Sequence, residues 1–103
     1  MDLRNKKILV TGGHGFLGSQ LVKNLVEKRR VPIENIKAPR FSDCDLRLME
    51  NCKRATLGTD VVIHLAARAG GIGLNREKPG ELFYDNLIMG THIMEAARLA
   101  GVE

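Results

Sequence analysis

Residues 6–18 read Lys-Lys-Ile-Leu-Val-Thr-Gly-Gly-His-Gly-Phe-Leu-Gly, and this stretch decides the predicted fold. The apolar run at 8–10 predicts a strand buried on both faces of a parallel sheet. Glycines then recur every three residues, at Gly12, Gly15 and Gly18. From Phe16 onward the apolar residues have helical spacing, at Leu17, Leu21, Val22, Leu25 and Val26. The pattern therefore predicts a strand that turns sharply into a helix.

Each of the three glycines has a physical role in such a turn. One permits the tight bend, one lets the backbone approach a pyrophosphate, and one lets the helix and the strand pack closely. The start of the helix adds unpaired N–H groups and the positive end of the helix dipole, which attract phosphate. The alternative is an ordinary turn that binds nothing. The position between a predicted strand and an amphipathic helix favours a dinucleotide site.

The composition is that of an ordinary globular protein. The 103 residues allow one domain at most, and 44% of them are hydrophobic and 27% charged. No apolar run is long enough to span a bilayer, and the N-terminal residues do not resemble a secretory signal, so we expect a cytoplasmic location and no membrane partner. We expect Cys44 and Cys52 to be reduced thiols. The scattered histidines predict no metal site.

The formal net charge of +4 raises the question of nucleic-acid binding. The basic residues are spread along the chain, and the aromatic residues that could stack on bases are few. The densest basic run, residues 28–30, follows the first helix, where cations complement the negative end of the helix dipole. We therefore predict no nucleic-acid partner, and an anionic dinucleotide already accounts for a mild positive bias.

The second strand is predicted over residues 35–38, because Pro39 ends the apolar segment. The loop that follows, residues 40–43, lies where this kind of fold binds the adenosine ribose. Arg40 together with Ser42 suits a 2′-phosphate, which favours NADP over NAD. The alternative is that Arg40 is a solvated loop residue.

A second helix is predicted from Leu46 to Leu57, capped by Asp43 or Asp45 and ended by Gly58. Its inward-facing side chains are expected to be Leu46, Met49 and Cys52.

The most strand-like run is residues 61–65, which we predict to be the third parallel strand. It ends at Ala66 and Ala67, whose small side chains leave room for a ligand beside the backbone, or else pack under a helix. The glycine-containing segment at 68–78, with Gly70, Gly71 and Gly73, is typical of a functional loop.

The last helix is predicted over residues 81–100, with Gly101 as its stop. Gly90 lies inside it and is expected to allow close packing against a neighbouring element. Tyr84 and Asn86 are expected to make structural hydrogen bonds. Strands and helices alternate throughout, which predicts an α/β fold with right-handed crossovers.

Two motifs give the chain a family resemblance. Residues 11–18 are similar to the cofactor motif of the extended short-chain dehydrogenase/reductases, also called the NAD-dependent epimerase/dehydratase family. Residues 64–75, continued by Pro79, Phe83 and Asn86, resemble the members of the GDP-L-fucose synthase type and related nucleotide-sugar enzymes. The resemblance covers nearly the whole chain. It implies the NAD(P)-binding portion of a nucleotide-sugar reductase or epimerase, which transfers hydride between NADP(H) and a 4-keto sugar nucleotide.

The resemblance also implies a set of site residues. The glycines would line the pyrophosphate, Asp45 and Leu46 would lie against the adenine, and Asn86 would brace the active-site strand from its helix. The whole cofactor-binding set would be Gly12, Gly15, Phe16, Leu17, Gly18, Arg40, Asp45, Leu46, Ala66 and Ala67.

The chain departs from the family at the catalytic residues. The family's chemistry needs a tyrosine followed four residues later by a lysine, which lowers the pKa of the phenol. Here the only tyrosine, Tyr84, is followed at that spacing by Ile88, and no lysine occurs after Lys78. We therefore predict no catalytic residues and a single truncated NAD(P)-binding Rossmann domain over residues 1–103. The alternative is a non-catalytic nucleotide-binding or self-associating fragment that needs a second chain.

The family layout implies a sheet order of 2-1-3, with helices on both faces and the glycine turn at the switch point. The third strand is then an open edge. Unpaired backbone groups on such an edge invite pairing with another copy, so we expect a homo-oligomer.

Overall fold

Three parallel strands form the centre of the computed structural model, which describes residues 1–68 and 76–103. The strands are β1 (Ile8–Thr11), β2 (Ile36–Lys37) and β3 (Val61–His64). Their order is β2-β1-β3, as predicted. In this register Ile8 lies opposite Ile36 on one side and Val61 on the other.

Strand β1 is buried on both faces, which confirms the prediction from its apolar run. Because successive side chains point to opposite faces of a sheet, Ile8 and Val10 enter one core and Leu9 enters the other. The first core includes Leu25 of helix α1 (Phe16–Glu27). The second core holds residues of helices α2 (Met49–Thr56) and α3 (Pro79–Ala100). Helices therefore cover both faces, as predicted.

Helix α1 begins at Phe16, as the spacing predicts. Leu25 is buried and three further residues of the predicted stripe are half-buried, namely Leu21, Val22 and Val26. The prediction is wrong for Leu17, which is 64% exposed. It lies in the first turn of α1, where side chains tilt back toward the N-terminus of the helix.

Strand β2 is shorter than the predicted 35–38. Residues Ile33–Asn35 form a 3₁₀ turn, in which the Asn35 N–H donates to the Pro32 carbonyl. Because Asn35 belongs to this turn, the strand begins only at Ile36.

Helix α2 is also shorter than predicted, because residues 46–48 form a turn. Neither aspartate caps it, since the N-cap is Leu48 without a side-chain hydrogen bond. The Asp45 carboxylate instead accepts from the Arg47 backbone N–H and guanidinium. The predicted inward residues are confirmed in the core: Leu46, Met49 and Cys52. Gly58 follows the helix with a φ of +68°, which suits glycine.

Helix α3 begins at Pro79, two residues before the predicted start, because proline is favoured in the first turn of a helix. It ends at Gly101, whose φ of +74° confirms the predicted stop. The close approach expected at Gly90 is not found, since an added Cβ would meet as its nearest described atom only His64 Nε2, at 4.0 Å.

The outer edge of β3 has no partner strand within residues 1–68 and 76–103. All four residues of β3 are half-buried, in contrast to the buried β1. The predicted loop glycines Gly70, Gly71 and Gly73 lie outside the described residues. None of the described helices is both long and apolar enough to cross a membrane.

Candidate functional site

Two of the three spaced glycines are required by close backbone contacts. Gly12 has a φ of +71°, and a Cβ on it would lie 2.7 Å from the backbone nitrogen of Ala66. A Cβ on Gly18 would collide with the carbonyl oxygen of Gly12 and come within 2.8 Å of Gly13 Cα. A side chain at Gly12 would push the turn away from the end of β3, and a side chain at Gly18 would push α1 away from the turn. The sequence therefore needs glycine here to bring strand, turn and helix together.

Gly15 differs from the other two, because a Cβ there would meet only the Gly12 carbonyl oxygen, at 3.4 Å. Gly15 is the N-cap of α1, and its carbonyl accepts the first helical bond from the Ser19 N–H at 2.9 Å. The N–H groups of residues 16–18 therefore have no partner inside the helix. No acidic residue lies in the first turn, so this helix end offers free donors and positive potential.

A cavity of about 790 Å³ opens beside this turn. It lies at the carboxyl ends of the parallel strands, where open α/β sheets bind ligands, and its size is typical of small-molecule sites. Its lining residues are Thr11, Gly12, His14, Gly15, Pro39, Arg40, Phe41, Cys44, Leu46, Arg47, Leu65, Ala66, Ala67, Arg68, Glu81 and Met89.

The cavity brings together six of the ten cofactor residues named from the sequence: Gly12, Gly15, Arg40, Leu46, Ala66 and Ala67. The other four lie outside its wall. Phe16 and Leu17 are exposed at the start of α1 and can contribute their backbone N–H groups. Gly18 lies beneath the turn, and the carboxylate of Asp45 is bonded to Arg47.

Thr11 connects β1 to β3 at the base of the cavity. Its Oγ1 accepts hydrogen bonds from the N–H groups of Leu65 and Ala66, both at 3.1 Å. A hydroxyl has one proton and two acceptor lone pairs, so the proton is donated to His64 Nδ1, at 2.6 Å. His64 is therefore the neutral tautomer with its proton on Nε2. Burial lowers the pKa of His64, which favours the same neutral form.

His14 joins the glycine turn to the end of β2. Its Nε2 lies 2.8 Å from the carbonyl oxygen of Ala38, and a carbonyl can only accept, so Nε2 carries the proton. His14 is a site residue that was not predicted from the sequence. Its place between Gly12 and Gly15 was the signal that could have found it.

Two further arginines of the cavity wall were missed from the sequence. Arg68 Nη1 lies 2.5 Å from Glu81 Oε1 and 2.6 Å from Asp85 Oδ2. The Arg68 guanidinium keeps the pKa of Glu81 below its usual range. Arg47 pairs with Asp45 at 2.8 Å and lies 3.5 Å from Asp85 Oδ2. No local pattern predicts the pairs with Glu81 and Asp85, because their members are distant in sequence.

Asn86 forms the structural hydrogen bonds predicted for it. Its Oδ1 accepts from the Arg68 backbone N–H at 2.6 Å, and its Nδ2 donates to the Arg68 carbonyl at 3.0 Å. The two bonds attach the segment after β3 to helix α3. They place Ala66, Ala67 and the arginine beside the glycine turn. Tyr84 is exposed on the same helix.

The arginines that line the cavity differ in whether a carboxylate neutralises their charge. Arg47 and Arg68 are paired with carboxylates, whereas Arg40 is exposed and has no such partner among the described ion pairs. A free guanidinium can bind a phosphate in a bidentate manner. Arg40 is thus the cation of the wall best placed to receive an anionic ligand group.

The cysteines and other possible metal ligands add no second site to the part of the chain that the structure describes. Both thiols are free, and no group of three or more His, Cys, Asp or Glu side chains is placed to hold a metal there. Burial raises the pKa of Cys52 to about 11 and that of Cys44 in the same direction. Both thiols are protonated near neutral pH.

A family model described as the NAD dependent epimerase/dehydratase family matches residues 8–103. Among curated proteins, GDP-mannose 3,5-epimerase of Arabidopsis thaliana is 33% identical over 110 residues, covering 96% of this chain and 29% of the plant protein. GDP-L-fucose synthase of Sinorhizobium fredii is 34% identical over 103 residues, covering 98% of this chain and 32% of the bacterial protein. The chain thus spans about a third of the length of these relatives.

Solved structures share the fold. A GDP-L-fucose synthetase from Naegleria fowleri bound to NADP is 31% identical with a TM-score of 0.72, over 96% of this chain and 30% of that one. A GDP-mannoheptose C4 reductase from Campylobacter jejuni with NADP bound has a TM-score of 0.82 at 21% identity, over 96% of this chain and 31% of that one. The second likeness supports the fold alone.

Proposed function

Because this chain belongs to the NAD dependent epimerase/dehydratase family, we propose that its cavity binds an NAD(P) dinucleotide for a nucleotide-sugar epimerase or reductase. One observation carries the proposal. The glycine turn leaves the start of α1 open toward a cavity at the carboxyl ends of β1 and β3. Backbone donors and the helix dipole converge there without a competing acid, which suits a pyrophosphate.

In this proposal nine of the ten residues named from the sequence act in three groups. The turn and the first residues of α1 bind the pyrophosphate: Gly12, Gly15, Phe16, Leu17 and Gly18. Asp45 and Leu46 lie against the adenine, and the Asp45 carboxylate is bonded to Arg47 of the cavity wall. Ala66 and Ala67 leave space for the rest of the cofactor next to β3.

We propose NADP as the preferred cofactor, with NAD as the alternative. The support is Arg40, which is exposed on the cavity wall after β2, where the adenosine ribose is expected. A 2′-phosphate would give its guanidinium a partner. The similar structure from Naegleria fowleri was solved with NADP, which is consistent with this choice.

We further propose that residues 1–103 form one NAD(P)-binding unit and do not contain the catalytic tyrosine and lysine of the family. Tyr84 supports this proposal, because it is an exposed residue of α3 with Ile88 at the position where the family has lysine. Such a unit would bind the dinucleotide without turning over a sugar nucleotide. A second chain could then complete the fold.

A second copy of the chain is the proposed partner at the open edge of β3. A groove of about 900 Å³ runs along this edge, and its apolar lining includes Val62 of β3 and Leu87, Met94 and Ala97 of α3. Met94 is 75% exposed. Unpaired strand edges beside exposed apolar side chains favour association of copies.

Titration with NADPH and NADH, followed by nucleotide fluorescence, tests the cofactor proposal. We expect saturable binding at one site, with NADPH bound more tightly. Arg40→Gln should remove this preference, because a charged hydrogen bond contributes about 1.5–3 kcal/mol. Equal affinities for the two nucleotides in the wild type would contradict the role of Arg40.

Gly15→Asp tests the location of the pyrophosphate in the same titration. The carboxylate would face the phosphates at close range, so affinity should fall roughly 100-fold or more. Gly15→Ala is the matched control, because its Cβ makes only a 3.4 Å contact and adds no charge. Affinity that survives Gly15→Asp, in a protein with unchanged circular dichroism, would overturn the site.

A further inference from the structure

Asp85 connects two loops that line the candidate dinucleotide cavity. Its side chain is only 8% exposed, and its Oδ2 lies 2.6 Å from Arg68 Nη1 and 3.5 Å from Arg47 Nη1. Arg68 follows β3, whereas Arg47 precedes α2. One nearly buried carboxylate on α3 therefore contacts guanidinium groups from two segments that are distant in sequence.

Each arginine has a second set of restraints. Arg47 Nε lies 3.0 Å from Asp45 Oδ1, and its guanidinium carbon lies 5.3 Å from the centre of the Phe41 ring. Arg68 also bonds to Glu81, and its backbone is bonded to Asn86. These contacts restrain both side chains. Both arginines line the cavity, while Asp85 lies behind them.

The charges of this cluster argue against simple attraction of a phosphate. Two guanidinium groups are paired with three carboxylates, those of Asp45, Glu81 and Asp85, so no positive charge is left over. By Coulomb's law alone, a carboxylate next to an anion site weakens binding. Placing a carboxylate out of water is also unfavourable unless its partners compensate. The carboxylate of Asp85 is therefore expected to have a role other than the electrostatic attraction of a ligand.

We propose that Asp85 is a positioning residue of the cavity, which holds the guanidinium groups of Arg47 and Arg68 in the arrangement that fits the dinucleotide. A guanidinium that carboxylates already neutralise still offers a planar face and outward N–H donors to a base or a ribose. Fixing both groups before binding removes the entropy loss of ordering two long side chains. The inference rests on the proposed dinucleotide function.

Asp85→Asn gives a sharp test, because the change preserves the shape of the side chain and an oxygen acceptor but removes the charge. With NADPH as the probe, we expect the Kd to rise roughly 3- to 30-fold, the range found for residues that act through others. If Asp85 acted only through its negative charge, its removal would tighten binding of this anion. The two roles therefore predict shifts of opposite sign.

The salt dependence of NADPH binding by Asp85→Asn distinguishes the two roles further. At about 1 M salt the screening length is only about 3 Å, so an effect of bulk charge should largely disappear. A loss of NADPH affinity that results from displaced guanidinium groups should persist at this salt concentration. Glu95→Gln is the matched control, because it removes a carboxylate of the same helix that pairs with Arg98 and lies outside the dinucleotide cavity. It should leave the NADPH affinity unchanged.

Arg47→Lys provides an independent variant in case Asp85→Asn does not fold. Lysine keeps the positive charge but lacks the planar fork that contacts both Asp45 and Asp85, so affinity should again fall. If wild-type protein bound no NADPH, the proposed function would fail. If wild type bound it and the folded Asp85 and Arg47 variants bound equally or more tightly, only the positioning role would be overturned.

Discussion

At the scale of single residues, His64 links folding stability to pH. Its Nδ1 accepts the Thr11 hydroxyl proton, and burial lowers its pKa below the usual value of about 6.5. The unfolded chain therefore binds a proton at His64 more readily than the folded chain does. This contribution to stability is complete above about pH 6.5 and is lost as the pH falls toward the folded pKa.

His64→Asn should reduce this loss of stability on the acid side. The amide oxygen of asparagine can accept the Thr11 proton in place of Nδ1, and asparagine does not titrate. We expect the free energy of unfolding to decline less between about pH 6.5 and pH 5 than in the wild type. Urea unfolding at several pH values measures this decline in the free energy of unfolding. Parallel declines in the two proteins would contradict the role given to His64.

At the scale of elements, α3 presents two apolar faces with different surroundings. One face, with Met89, Ile93 and Ala96, is buried in the core shared with α2 and Leu9 of β1. The other face, with Leu87 and Met94, is exposed along the open groove. The helix therefore contributes to folding through only one of its apolar faces.

Ile93→Ala should destabilise the fold by about 2–5 kcal/mol, because Ile93 is 3% exposed and the change leaves a cavity. Leu99→Ala on the same helix removes a side chain that is 57% exposed and should change stability by less than about 1 kcal/mol. Thermal and urea unfolding compare the two. Similar losses for both variants would show that the core does not depend on this face of α3.

At the scale of the whole molecule, the sheet ends at β3 without a covering strand among the described residues. The groove beside it is the surface proposed for a second copy. Most of its apolar side chains belong to α3, whose Asp85 and Asn86 also bond to Arg68 in the wall of the dinucleotide cavity. Association at the groove and binding at the cavity would thus share one helix.

Met94→Glu should weaken self-association, because it places a charge on the proposed contact surface. We expect analytical ultracentrifugation to show oligomers of the wild type that dissociate in the variant. Leu57→Glu is the matched control, since Leu57 is 68% exposed and does not line the groove. A wild type that remains monomeric at all concentrations would refute the proposed partner.

The sequence by itself determined the features that depend on neighbouring residues. Apolar spacing predicted the strands β1, β2 and β3 and the helices α1, α2 and α3, and the glycine spacing predicted the turn and its place beside a cavity. The strand order came from the family resemblance. The predicted ends of β2 and α2 were less accurate. At α2 the reason is that the Asp45 carboxylate bonds to Arg47 instead of capping the helix. Local pattern does not reveal which of two possible partners a side chain takes.

Only the tertiary structure decided the contacts between distant segments. It placed Arg47 and Arg68 on one carboxylate, Asp85, and aligned the Thr11 hydroxyl with His64. It also showed that Gly12 is required by the backbone of Ala66, far along the chain. The physical reason is that parallel strands are joined by long crossovers, so residues meeting at one end of the sheet are far apart in sequence.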